Sequence, residues 1–189
     1  IADASVVGNL PSLSSADADA VRRAVRYLYD LGHRQIARVG GPESLAHSYI
    51  RDSAFADVAS ELGMRYRCLH TDYTPETGRE ATKRLLAFSE HPTAIIYDND
   101  VMALAGLGVA ASQGIKVPEE ISIMSWDDSL MCTAAYPNLT AMGRDVVDTG
   151  KQAAGLLLKL IGGERVGHLM EGPYELRARA STGPAPAAE

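Results

Sequence analysis

Four residues in this chain combine the right side chains with a suggestive position: Arg51, Tyr73, Asn99 and Asp127 each follow a short apolar run. Together they would supply a guanidinium, an aromatic ring, an amide and a carboxylate. A guanidinium can donate two parallel hydrogen bonds to adjacent hydroxyls. Carboxylate and amide oxygens accept strongly from hydroxyls, and a ring face covers the C–H side of a sugar. The set suits a sugar or related polyol held without covalent chemistry, and a nucleobase would fit it as well. Trp126 stands beside Asp127 and adds a second aromatic. The competing reading is local. Asp, Asn and Ser commonly follow strands and begin helices as caps, and that reading is preferred for Asp98, Asp100 and Asp128.

The elements that would carry these residues follow from periodicity. Val21, Ala24, Val25, Leu28 and Leu31 repeat at helical spacing after Ser14, Ser15 and Asp17, and Gly32 suits the end of that helix. Ile36–Val39 reads as a buried strand broken by Gly40, Gly41 and Pro42. A helix from about Tyr49 to Leu62 follows, then the strand YRCLHT. Thr74 and Pro75 open the next helix as N-cap and first residue, and it reaches about Phe88. TAIIYD, a helix from about Asp100 to Gln113, and ISIMSW complete four strands. Strands alternating with helices across short loops imply right-handed crossovers and a parallel α/β sheet. Strands that are apolar throughout imply that both sheet faces are covered. In such sheets ligands bind at the carboxyl ends of the strands, where the four residues fall.

Beyond Trp126 the period is lost. DDSLMCTAAYPNLTAMGRD reads as a long loop with one short extended piece, and long irregular segments are often functional. A helix over about 146–161 follows, then one or two strands within HLMEGPYELRARAST. The tail GPAPAAE is expected to be disordered. The apolar start (Val6, Val7) and the helix over 146–161 do not belong to the α/β run and point to a second, incomplete lobe.

Bulk properties narrow the function classes. The 189 residues carry a formal net charge of −6, and no basic stripe of the kind an autonomous DNA binder presents is visible. No run approaches the roughly 18 apolar residues of a membrane span, and the first ten residues lack the features of a signal peptide. The chain begins without Met, which leaves an upstream segment open. Cys68 and Cys132 read as reduced thiols in a cytoplasmic protein. The five histidines have no zinc-like spacing, so neither metal nor cofactor is expected. Signatures of nucleophile elbows and phosphate loops are absent. Asp127 and Asp128 are adjacent, whereas a glycosidase needs opposed carboxyls about 5–10 Å apart. No enzymatic activity is expected. His33, after a helix-ending glycine, reads as structural, and His47 lies in the first binding loop.

Several blocks together resemble the lactose-repressor/galactose-repressor family of bacterial transcription regulators. They are AVRYLYDLGHRQIARVGGP at 24–42, Arg51-x-x-x-Phe55, PTAIIYDNDVMALAGLGVAASQGIKVPEEISIMSWDD at 92–128, YPNLTAM at 136–142 and RARAST at 177–182. The resemblance implies a periplasmic-binding-protein-like core in which the second lobe is complete and the first partial. Its implied boundaries are 1–12 in the first lobe, 13–142 in the second, 143–175 back in the first, 176–182 returning, and 183–189 as tail. Crossings are expected near 10–13, 141–145 and 174–178.

The resemblance also implies effector contacts at Arg51, Asp127, Asn99 and Tyr73, with His47 and Ser48 in an adjoining loop and Arg144 at a crossover. It implies a cytoplasmic homodimer paired through helices near 75–88 and 100–113, and operator DNA bound by a segment outside this chain. Three positions depart from the family pattern: Ser125 for Gly, Trp126 for Phe or Tyr, and Ala54 for Gly. Arg144 points either to an acidic or phosphorylated ligand or to a pair with Asp127. The alternative function is a secreted sugar-binding protein serving a transporter.

Overall fold

The computed structural model describes residues 12–187, so the expectation for 1–11 lies outside the described residues. Strands β1 (Ser12–Ser14), β2 (Gln35–Gly40), β3 (Arg65–His70), β4 (Ala94–Tyr97), β5 (Ser122–Ser125), β6 (Thr140–Gly143), β7 (His168–Met170) and β8 (Glu175–Arg177) form two sheets. The larger has the order β3-β2-β4-β5-β6-β8. Its first five strands run parallel, and β8 closes the edge antiparallel to β6. The smaller sheet is a parallel pair of β1 and β7.

Helices α1 (Asp17–Asp30), α2 (Ala46–Glu61), α3 (Pro75–Leu86) and α4 (Asp100–Ser112) make the crossovers. Successive strand residues point to opposite faces, and here each face meets its own core. Ile36, Ala94, Ile96 and Met124 pack with α1 and α2 through Val25, Leu28, Phe55 and Val58. Ala37, Val39, Ile95, Tyr97 and Ile123 pack on the other face with Ala81, Leu85, Met102 and Ala103 of α3 and α4. This explains the unbroken apolar strands. Truncating a fully buried leucine such as Leu28 or Leu85 is expected to cost about 2–5 kcal/mol.

The predicted caps of α3 hold. Thr74 accepts from the Thr77 amide, and Pro75 occupies the first helical position. The start of α1 differs. No side chain caps it, and Asp17 turns its carboxylate inward instead. The segment read as irregular contains the short helix α5 (Leu130–Ala134), capped by Ser129, and the fully buried strand β6. Neither is long enough to show a period. Pairing with β5 and β8 makes β6 a strand.

Helix α6 (Val146–Ile161) forms as expected and is capped by Asp145. The chain passes between the two sheets at 15–16, 144–145 and 171–174. The first crossing therefore lies later than expected, because Ser12–Ser14 pair with His168–Met170, and the third lies earlier, because Glu175–Arg177 already pair with β6.

The disordered tail needs correction over 183–187. The Gly183 amide donates to Ser122 Oγ at 3.1 Å, and the Ala185 amide donates to the Leu31 carbonyl at 2.8 Å. His33, buried as expected of a structural residue, spans Thr93 (2.8 Å) and the Gly183 carbonyl (3.1 Å). Pro/Ala-rich composition gives little reason to order a segment, but its backbone groups here find fixed partners at the end of α1 and the start of β5.

Candidate functional site

At the carboxyl ends of β2, β4 and β5 lies a pocket of about 320 Å³, near the lower end of the roughly 300–1,000 Å³ usual for small-molecule sites. Arg51, Tyr73, Asn99 and Asp127 all line it, as do His47 and Arg144. The remaining lining residues are Asp98 and two from the crossings between sheets, Ser15 and Tyr174. Arg144 lies on a crossing too. The pocket thus sits where the large sheet meets all three crossing segments.

Arg51 projects from α2 and is almost fully buried. Its Nε donates to Asp17 Oδ1 at 2.6 Å, and Nη1 lies 3.3 Å from Asp98 Oδ2. Its guanidinium stacks 4.6 Å over the Trp126 ring. Burial opposes its charge, but Asp98 and Asp17 outweigh that and raise its pKa. Asp98 also receives two bonds from Arg38, at 2.8 and 2.6 Å, a fork that fits both carboxylate oxygens. Burial alone would raise the Asp98 pKa; Arg38 and Arg51 more than offset it and hold the carboxyl below its usual range. Arg38 continues to Asp52 on its far side. A chain of alternating charges therefore runs beneath the pocket floor and fixes Arg51.

Tyr73 is held from several sides. Its backbone has φ 69°, a left-handed conformation that costs a non-glycine residue and concentrates at functional positions. Its hydroxyl and His47 Nε2 are 2.7 Å apart, and its carbonyl accepts from Asn99 Nδ2 at 3.1 Å. Its ring lies directly against Gly41, where a Cβ would come within 1.9 Å of Cζ. The glycine is required by this approach. Asn99 is both lining and scaffold: its Oδ1 caps α4 at the Met102 amide, 2.8 Å away.

Asp127 is exposed toward the pocket. Partial loss of hydration raises its pKa, with Arg51 pulling the other way. Among the described residues no ion pair or hydrogen bond reaches its carboxylate. Arg144 does not pair with Asp127. It donates to Glu171 Oε2 at 2.7 Å and faces the Tyr174 ring at 5.7 Å. Asp128 faces away and is clamped by Arg177 and Arg179.

Two expected contacts lie behind the lining. Trp126 is buried under Arg51 and packs on Tyr174 with centroids 5.4 Å apart. Ser48 is fully buried. Residues that sequence reasoning passed over as site residues are Asp17, Arg38, Tyr174 and Ser15. The cap reading preferred for Asp98 needs correction, since its carboxylate pairs with Arg38 and Arg51 and lines the pocket. A signal existed for one pair. An arginine in the middle of the apolar strand IARVGG must be buried, and a buried charge demands a partner, which Asp98 at the end of the neighbouring strand provides. No local signal marks Tyr174, which reaches the site from a distant crossing.

A second recess, of about 450 Å³, opens between the start of α6 and residues 172–177. It shares only Arg144 with the strand-end pocket and gathers none of the strand-end side chains. Among the described residues no helix is long and apolar enough to cross a membrane, and no cluster of side chains is arranged to hold a metal.

The Periplasmic binding protein-like domain family matches residues 25–182. Over 179 residues the chain is 34% identical to the HTH-type transcriptional repressor CytR of Escherichia coli, covering 92% of this chain and 52% of that protein. It spans about half the length of the curated relatives it matches. Among solved structures, a LacI family transcriptional regulator from Bifidobacterium animalis subsp. lactis aligns with a TM-score of 0.94 at 60% identity, over 97% of this chain and 68% of that one. A complex of the transcriptional regulator CelR with cellobiose aligns with a TM-score of 0.87 at 26% identity, over 95% of this chain and 57% of that one.

Proposed function

Because this chain belongs to the LacI family of transcriptional regulators and carries that family's periplasmic-binding-protein-like domain, we propose that it is the effector-sensing core of a DNA-binding regulator. The observation that carries this reading is the pocket at the strand ends, where an uncommitted carboxylate, a fixed guanidinium and two tyrosines converge on the crossings between sheets. Asp127 accepts from ligand hydroxyls. Arg51, aligned by Asp17 and Asp98, donates its remaining N–H groups. Tyr73 and His47 flank the ligand, Asn99 holds Tyr73 in place, and Arg144 and Tyr174 contribute from the crossings. Trp126 and Ser48 act from behind, Trp126 by supporting Arg51.

The six-stranded sheet with α1–α5 forms the second lobe. β1, α6 and β7 are the portion of the first lobe present here, and the opposite wall comes from outside this chain. A ligand touching both lobes and the crossings favours one lobe arrangement, and differential affinity for the two arrangements is what shifts their populations. In the whole protein this shift alters binding to operator DNA by a segment outside the chain. The regulator is a cytoplasmic homodimer, whose two-fold symmetry matches palindromic sites. The regulatory relatives favour this reading over a transport protein, and the role is binding without catalysis.

The test is a thermal-shift screen of sugars and nucleobases on the full protein, followed by titration of the strongest ligand into Arg51→Ala and Asp127→Ala. Each substitution should weaken binding by more than about tenfold, the equivalent of 1.4 kcal/mol. Unchanged affinity in both would refute the site, and a ligand that binds without altering operator affinity would refute the sensing role.

A further inference from the structure

We infer that this pocket selects an uncharged, hydroxyl-donating ligand and rejects its phosphorylated counterpart. The inference rests on the effector-site reading above and concerns the charge that the site tolerates. A phosphate is normally recognised by guanidinium forks and by helix N-termini. Both are present, and nearly all are already committed.

Arg38 is buried and gives two bonds to Asp98. Arg51 meets Asp17 and Asp98. Arg144, whose presence in the sequence pointed toward an acidic ligand, is neutralised by Glu171. With Asp52 on the far side of Arg38 and Asp127 uncompensated, three guanidiniums stand against five carboxylates, a formal excess of two negative charges.

The helix termini tell the same story. Asp17 occupies the first turn of α1, and Asp100 that of α4, whose cap is closed by Asn99. Each N-terminal dipole has thus met a carboxylate of the protein. Of the crossover helices α1–α4, only α2 starts without an acidic residue, and the ring of His47 in its first turn is directed to the Tyr73 hydroxyl. Among the described residues, Asp127 is the one carboxylate of the pocket lining that no ion pair or hydrogen bond engages, and it is an acceptor only. It needs a donor, which a hydroxyl supplies and a phosphate dianion lacks. Like-charge juxtaposition is how a site suppresses the wrong ligand.

The experiment is isothermal titration of the full protein with matched pairs: glucose with glucose 6-phosphate, ribose with ribose 5-phosphate, and adenosine with its 5′-monophosphate. In any pair that binds, the neutral member should be tighter by at least about tenfold, as expected for an unscreened like charge. Asp127→Asn should weaken the neutral member and narrow the gap. A phosphorylated member that binds as tightly as its neutral partner overturns the inference and leaves the effector site standing. Selectivity that survives Asp127→Asn unchanged overturns the role given to that carboxylate. Absence of binding across all pairs counts against the effector-site reading itself, and the inference falls with it.

Discussion

Replacing Asp98 with Asn changes almost nothing in shape, yet it removes the charge on which two buried guanidiniums depend. Arg38 lies 2.8 and 2.6 Å from its two oxygens and Arg51 lies 3.3 Å away. The Asp98 side chain is fully buried and that of Arg38 nearly so. At an effective dielectric constant near 20, each such pair attracts by about 4 kcal/mol, opposed by a desolvation penalty of several kcal/mol per ion. The attraction disappears in Asp98→Asn while Arg38 stays buried, so the expected loss is about 3–5 kcal/mol. For a domain of this size one kcal/mol moves Tm by roughly 2–4 °C, which places the drop at about 6–20 °C by scanning calorimetry.

The effect has a definite pH sign. The Asp98 carboxyl titrates below the ordinary 3.8 in the folded state. Its contribution is therefore fully present above that value and is lost as pH falls through the folded pKa. The gap between wild type and Asp98→Asn should close in strong acid. Adding Arg38→Met to Asp98→Asn should recover part of the loss, since the unpaired buried cation is then gone. A Tm drop under about 3 °C near neutral pH, or a gap that widens in acid, would refute the charge chain as the support of the pocket floor.

Gly41→Ala would place a Cβ within 1.9 Å of the Tyr73 ring, so the ring must leave its position; effector affinity should fall by about tenfold or more with a smaller change in Tm, as read by calorimetric titration. Burial lowers the pKa of His33, so the folded state favours its neutral form. The stability this confers is fully present above the unfolded pKa of about 6.5 and is lost as pH falls below it toward the folded value. His33→Gln should flatten the decline of Tm between about pH 6.5 and pH 5, and an unaltered slope would show that His33 does not titrate on unfolding.

Elements whose signals are local were legible in the sequence. The helical repeat of Val21, Ala24, Val25 and Leu28, the Thr74-Pro75 start of α3 and the apolar runs at 36–39 and 94–97 depend on neighbours a few residues away. Strand alternation then placed Arg51, Tyr73, Asn99 and Asp127 at one sheet edge, and the structure brings all four to one pocket. Helix α5 was not legible, and β6 only as one short extended piece without bounds. β6 has only four residues and owes its strand conformation to partners on both sides.

Nor could spacing show how the charges pair. Asp17 meets Arg51 from 34 positions away, Arg144 turns to Glu171 from 27 positions away, and Tyr174 approaches Asp17 from 157. Sequence alone determined which polar groups the strand ends offer, because backbone periodicity dictates where those ends fall. Only the tertiary structure decided which of those groups remain open to a ligand. Desolvation forces each buried charge to find a partner, and the nearest one in space need not be near in the chain. At this site that leaves the Asp127 carboxylate uncommitted.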